Sequence, residues 1–199
     1  SLYNSRNYKH GDVLMSDTKT KFGLALVSVL LATSGFAGDK ETTNLSFTDL
    51  VSSKYQLLDT NGTKVSREVL KGKFVGVYFS AQWCGPCRNF TPVLQKFRDA
   101  NAENFEVVFL SLDYDRRNTS PARCLEKKRE YMKSAKMDWY TINCGYMPAR
   151  RSLTKTGRRG IPTLVVFSPD GKCITTTAKV ELKNPESAMD VWKKASSIK

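Results

Sequence analysis

The chain has 199 residues, 40% of them apolar, and a formal net charge of +13. That size and apolar content suit one domain with a substantial core plus a tail, and exclude a disordered chain. The single histidine, His10, excludes Ser-His-Asp and Cys-His catalysis and any histidine-ligated metal from everything beyond the N-terminus.

Residues 1–37 read as an N-terminal extension and signal peptide, with Met15 as the expected start. Lys19 and Lys21 supply a positive flank, residues 22–37 are uncharged and mostly apolar, and Gly35 and Ala37 are the small residues that cleavage before Gly38 needs. The expectation is an exported protein: periplasmic, secretory-pathway or extracellular. The alternative is a retained membrane anchor at residues 22–37, a run shorter than the roughly 20 residues of a spanning helix. Residues 1–14 receive no structure, and residues 38–199 are the expected folded domain. All but two of the thirteen excess positive charges lie in that part.

Residues 38–45 are polar. Residues 55–58 and 64–66 flank Asp59-Thr60-Asn61-Gly62, where Asn-Gly predicts a tight hairpin. Residues 74–80 (FVGVYFS) predict a buried strand, and residues 88–100 a helix with Phe90, Val93, Leu94 and Phe97 on its apolar side and Pro92 kinking it. A second buried strand is predicted at 105–112, a charged helix with a thin apolar face at 121–136, and another helix at 147–156, ended near Gly157. Residues 163–167 (TLVVF) predict a third strand. Pro169-Asp170-Gly171 is a turn, residues 173–178 a fourth strand, and a last helix from Asn184 or Pro185 carries Ala188, Met189 and Trp192. Strands alternating with helices before a closing hairpin indicate an α/β fold with a mixed central sheet flanked by helices.

The chemistry is concentrated at Trp83-Cys84-Gly85-Pro86-Cys87, between a predicted strand and a predicted helix. A cysteine at a helix N-terminus sits near unpaired N–H groups and the positive end of the helix dipole, which favour thiolate over thiol. Cys84, at the helix edge, is expected to be exposed and to attack a substrate disulfide. Cys87, one turn further in, is expected to resolve the mixed disulfide. Gly85 and Pro86 set the turn, and Pro86 has no N–H where none is needed. A structural disulfide, or half of a metal site, is the alternative that this strand-to-helix context disfavours. Gly160-Ile161-Pro162-Thr163 stands at the start of a strand. There Pro162 is either an ordinary trans strand-start proline or the second residue of a cis bond that holds the Ile161 backbone beside the cysteines.

These pieces resemble the thioredoxin superfamily, and within it the tryparedoxin and nucleoredoxin branch. The residues that carry the resemblance are 75–97 (VGVYFSAQWCGPCRNFTPVLQKF), 105–115 (FEVVFLSLDYD) and 160–178 (GIPTLVVFSPDGKCITTTA), and the likeness runs from about Tyr55 to Trp192. It implies a thioredoxin fold, Cys84 as nucleophile, Cys87 as resolving thiol and a cis Pro162. Trp83, Gly85, Pro86, Ile161 and Pro162 would meet the substrate. Three positions depart from the family. Tyr78 stands where thioredoxin proper has a buried Asp, Gly85 where tryparedoxins have Pro, and Leu112-Asp113-Tyr114 where they have Trp-Asp-Glu.

The expected activity is thiol–disulfide oxidoreduction on protein disulfides, fed by a thiol electron donor, with Gly85-Pro86 pointing towards reduction. A monomer with no cofactor and no metal is expected. The odd count of cysteines, with Cys124, Cys144 and Cys173 scattered singly, argues against a disulfide framework or zinc knuckles. Those three read as free thiols, with Cys124 and Cys144 placed where they could meet. Basic runs at 116–136 and 150–159 read first as solvated surface and secondly as a site for an anionic partner, with no specific nucleic-acid motif. The competing functional reading is a redox-sensing or scaffolding module that binds an acidic partner through that basic surface.

Overall fold

A computed structural model describes residues 44–114 and 120–198. The expected signal segment or anchor lies outside the described residues. Among the described residues no helix is long and apolar enough to cross a membrane.

In chain order the elements are α1 (Phe47–Leu50), β1 (Leu57–Leu58), β2 (Lys64–Val65), a 3-10 turn (Arg67–Leu70), β3 (Phe74–Ser80), α2 (Gly85–Ala100), β4 (Phe105–Ser111), α3 (Pro121–Ser134), β5 (Tyr140–Ile142), α4 (Tyr146–Lys155), β6 (Thr163–Phe167), β7 (Cys173–Thr175), α5 (Ala178–Glu181) and α6 (Pro185–Ser197). The sheet order is β2-β1-β5-β4-β3-β6-β7. Strands β3, β4 and β5 run parallel, and the remaining neighbours pair antiparallel. This is the mixed sheet flanked by helices that the alternation of elements predicts.

The inner strands are covered on both sides, so they read as unbroken apolar runs. Val75, Val77 and Phe79 of β3 join Val108 and Leu110 of β4, Val165 and Phe167 of β6, Leu50 of α1, and Ala149 and Leu153 of α4 in one cluster. Tyr78, Phe105, Phe109, Leu164 and Val166 point the other way, against Phe90, Leu94 and Phe97 of α2, Tyr131 and Met132 of α3, and Met189 and Trp192 of α6. At Gly76 a Cβ would stand 2.7 Å from Phe105 Cζ, so the glycine in β3 is what lets that ring close against the sheet. Gly62, at φ +83°, closes the predicted hairpin, with Asp59 Oδ1 accepting from the N–H groups of Asn61 and Thr63.

Several elements differ from expectation. Helix α2 begins at Gly85 rather than residue 88, because Cys84 caps it. It also runs on through Pro92; the carbonyl deprived of its donor belongs to Arg88, an exposed residue. Strand β7 stops at Thr175 instead of continuing to 178, since the Thr177 N–H turns back to Thr175 Oγ1 and α5 follows. Helix α1, set by a Ser46–Asp49 capping box, and the three-residue β5 carry no expectation at all.

Helix α3 hides a charge. Lys128 is 2% exposed and donates to the carbonyls of Ile142 and Cys144. Burial pushes its pKa down from 10.5 to about 8, with Cys144 and Cys124 pulling it up and Arg129 adding to the fall. Between those two pH values the unfolded chain holds a proton that the folded chain lacks, so this group makes stability rise with pH through that window. The contribution is roughly 3 kcal/mol at full span. Cys144 and Cys173 oppose it above their usual value of 9, because burial raises both. Urea midpoints measured from pH 7.5 to 9 should therefore climb in the wild type and flatten in Lys128→Met. Parallel curves for the two proteins would remove the assignment.

Candidate functional site

The cysteine pair lies at the carboxyl ends of the parallel strands β3 and β4, where α/β sheets open their crevices. Strand β3 ends at Ser80, whose carbonyl accepts from the Leu112 N–H at 2.8 Å. The chain then turns through residues 81–83, with the Cys84 N–H donating to the Ala81 carbonyl. Cys84 takes the N-cap position of α2 in extended geometry (φ −85°, ψ 104°). Its Sγ accepts from the Cys87 N–H at 3.2 Å, doing what a serine or aspartate oxygen does at other helix starts.

Cys84 and Cys87 are joined as a disulfide, with Cα atoms 5.2 Å apart. The expectation that Cys84 is exposed needs correction: the residue is only 5% exposed, and Cys87 is fully buried. Cys84 packs into the cluster that contains α4 and the Ile161 side chain, and its Sγ lies 3.8 Å from the Ile161 carbonyl oxygen. It opens instead onto the floor of a 590 Å³ cavity. Trp83, 61% exposed, stands beside it.

Of the other predicted site residues, Trp83, Gly85, Pro86 and Ile161 line that same cavity, while Cys87 and Pro162 do not. The Ile161–Pro162 bond is cis. Sequence reading missed the rest of the lining: Leu112 and Tyr114 after β4, Tyr146, Arg150 and Leu153 of α4, and Arg159. Tyr114 and Tyr146 stack with ring centroids 4.9 Å apart. Positions 146, 150 and 153 share a helix face, so the i, i+4, i+7 spacing was the available signal.

Hydroxyl groups, not carboxylates, contact the Cys87 backbone. Thr91 Oγ1 donates to the Cys87 carbonyl at 3.0 Å, and Tyr78 OH donates to it at 3.3 Å. Tyr131 OH lies 3.4 Å from Thr91 Oγ1 and 3.1 Å from Ser80 Oγ. Burial pushes the Tyr78 phenol up to about 12, so it stays neutral and is no proton acceptor near neutral pH.

Asp113 anchors the cysteine loop from below. Its Oδ1 accepts from the Gln82 N–H at 2.8 Å and its Oδ2 from Ser111 Oγ at 2.8 Å. Arg88 closes the same loop by donating to the Gln82 carbonyl at 2.6 Å. Burial raises the Asp113 carboxyl above its ordinary value, against the lowering effect of those two hydrogen bonds. Asp113 is a positioning residue. Asp113→Ala should cost about 1–3 kcal/mol by orphaning both donors. Asp113→Asn, which keeps an acceptor, should cost less, and equal losses in urea unfolding would contradict this role.

The three remaining cysteines form no disulfide: Cys124 and Cys144 are buried, Cys173 half-buried. Cys124 and the segment after β5 are neighbours, since a Cβ on Gly145 would lie 3.7 Å from Cys124 Cβ.

Comparison with known proteins places this arrangement. Nucleoredoxin of Homo sapiens is 36% identical over 139 residues, covering 67% of this chain but only 29% of that protein. The chain thus spans under a third of the nucleoredoxins it matches. Tryparedoxin of Trypanosoma brucei brucei is 37% identical over 141 residues, covering 68% of this chain and 90% of that one. The solved structure of tryparedoxin II from C. fasciculata superposes with a TM-score of 0.58 at 34% identity, over 70% of this chain and 89% of that one. The family model described as thioredoxin-like matches residues 72–173, and the chain belongs to that thioredoxin-like family, with its fold.

Proposed function

We propose that this protein is a thiol–disulfide oxidoreductase that reduces protein disulfides, with Cys84 as nucleophile and Cys87 as resolving thiol. One observation carries the reading: Cys84, disulfide-bonded to Cys87, caps the N-terminus of the helix that follows buried strand β3, and it lines an open cavity beside the Ile161 carbonyl. A redox pair needs one sulfur that a substrate can reach and one sheltered behind it, and the exposures of 5% and 0% keep that order.

In the reduced protein, the Cys84 thiolate is stabilised by the Cys87 N–H and the dipole of α2. It attacks one sulfur of a substrate disulfide. The substrate S–S bond breaks, a Cys84–substrate bond forms, and the leaving thiolate takes a proton. Cys87 then loses its proton and attacks Cys84. The mixed disulfide breaks, the second substrate sulfur leaves and is protonated, and the protein ends as the Cys84–Cys87 disulfide. Two electrons have passed to the substrate, and an external dithiol donor must return them. Trp83, Gly85, Pro86 and Ile161 present the surface on which the substrate chain lies, with Pro162 behind Ile161.

The test is reduction of insulin disulfides by the pre-reduced protein. Its direction is read by equilibration with glutathione. A potential near about −270 mV supports a reductant, whereas one near about −120 mV would make it an oxidant.

A further inference from the structure

We propose that Arg150 and Arg159 form an acidic-residue subsite beside Cys84, so that the protein selects disulfides in polypeptide segments carrying Asp or Glu within a few residues of the reacting cysteine. This rests on the oxidoreductase reading and adds a substrate class to it.

The argument starts from what lines the 590 Å³ cavity over Cys84. Two guanidinium groups, those of Arg150 and Arg159, are on its wall, and among the described residues no carboxylate is. Arg150 comes from α4, and Arg159 from the segment leading to Ile161. The two segments touch, with Arg150 Nη1 donating to the Arg159 carbonyl at 3.5 Å. Both arginines are exposed, and among the described residues neither forms an ion pair. Three other arginines are committed: Arg98 to Glu106, Arg123 to Glu126, and Arg67 to the carbonyls of Val51, Ser52 and Tyr55. Neither charge is neutralised by a carboxylate among the described residues, and apart from the long Arg150 Nη1 contact to the Arg159 carbonyl the guanidinium donors remain for an incoming carboxylate.

The occupant is a polypeptide rather than a small anion for two reasons. Ile161 makes no backbone–backbone hydrogen bond with another described residue, and its carbonyl meets Cys84 Sγ only at 3.8 Å, so its N–H and C=O remain for an extended chain to pair with. The exposed Trp83 ring, which also lines the cavity, offers apolar surface that a side chain can cover. A substrate strand laid along Ile161 with its cysteine over Cys84 brings its neighbouring side chains towards Arg150 and Arg159.

The whole chain is basic, so acidic substrates would be favoured to some degree by overall charge alone. The test separates local from global effects. Three disulfide-closed peptides are used, identical except for Glu, Gln or Lys on either side of the reacting cysteine, with oxidised glutathione as a small anionic disulfide. Second-order rates of reduction by the pre-reduced protein are measured at low and high salt. Wild type is compared with Arg150→Gln/Arg159→Gln and with a charge-matched control, Lys193→Gln/Lys194→Gln. That control lies on exposed turns of α6, which packs on the opposite face of the sheet from α4.

The Glu peptide should outrun the Lys peptide by about tenfold at low salt, with the gap narrowing as salt rises. The arginine double variant should lose that gap, its Glu-to-Lys rate ratio falling towards one, and the lysine control should keep the gap. The subsite is overturned if wild type shows no preference, if the two double variants lose it equally, or if the arginine variant keeps the wild-type Glu-to-Lys rate ratio. An equal loss on oxidised glutathione overturns the polypeptide assignment in favour of a small carboxylate-bearing thiol. If no peptide is reduced at all, the oxidoreductase reading falls and takes the subsite with it. Reduction without charge preference removes the subsite alone.

Discussion

Cys84→Ser is expected to bring reduction of insulin disulfides down to the uncatalysed background, while Cys87→Ser stops the reaction half-way. The two losses differ in kind. A serine hydroxyl at position 84 can still accept from the Cys87 N–H, so the cap of α2 survives and the protein should fold. What disappears is the thiolate, the only form of the site that attacks sulfur. With serine at 87, Cys84 remains reactive but nothing releases the substrate, and a mixed disulfide with the substrate should accumulate. Mass spectrometry of the Cys87→Ser protein after exposure to insulin should show that adduct, removable by dithiothreitol. Residual turnover in Cys84→Ser, or an adduct on Cys124, Cys144 or Cys173 instead, would sink the assigned roles. Those three thiols lie outside the cavity that Cys84 opens onto.

The second large effect concerns stability. Arg98, near the C-terminal end of α2, donates from Nε and Nη2 to both carboxylate oxygens of Glu106 on β4, at 3.1 and 2.9 Å. The Glu106 side chain is 3% exposed and Oε1 also accepts from the Val107 N–H. Arg98→Ala would leave that carboxylate buried without its cation, at a cost of about 3 kcal/mol. The low end of the usual range applies because the Arg98 side chain is itself 18% exposed. The melting temperature should fall by roughly 10 °C for a chain of this size. The double variant Arg98→Met/Glu106→Leu should be more stable than Arg98→Ala, since it removes the stranded charge as well as its partner. If Arg98→Ala shifts the urea midpoint no more than a surface substitution does, the pair has no structural weight.

The sequence makes some parts of this fold plain and conceals others, for identifiable reasons. Strands β3, β4 and β6 are covered on both faces, and such strands announce themselves as unbroken runs of Val, Phe and Leu. The hairpin before them is declared by Asn61-Gly62. Strand β5 is invisible because three residues hold no period; β4 and β1 create it by pairing with Tyr140–Ile142 from either side. Helix α1 has a local signal in the Ser46–Asp49 spacing, but its four residues are too few to show a helical period. The cysteine pair was legible because its motif stands between a strand and a helix. The sheltering of Cys84 was not, since Ile161 reaches it from 77 positions away. Lys128 illustrates the same limit: in a helix rich in charge, nothing local marks the one lysine turned inward. Likewise, no pattern separates Arg150 and Arg159, which reach the cavity, from Arg151 and Lys155 of the same basic run, which do not line it.

The sulfur that does the chemistry is also the stopper of the helix behind it. Cys84 Sγ receives the amide hydrogen of Cys87, so whatever enriches that sulfur in electrons also tightens the first turn of α2. Electron transfer and helix fraying at this tip are therefore a single coupled equilibrium, and any partner that grips or loosens that turn will retune the protein as a redox couple without touching either cysteine.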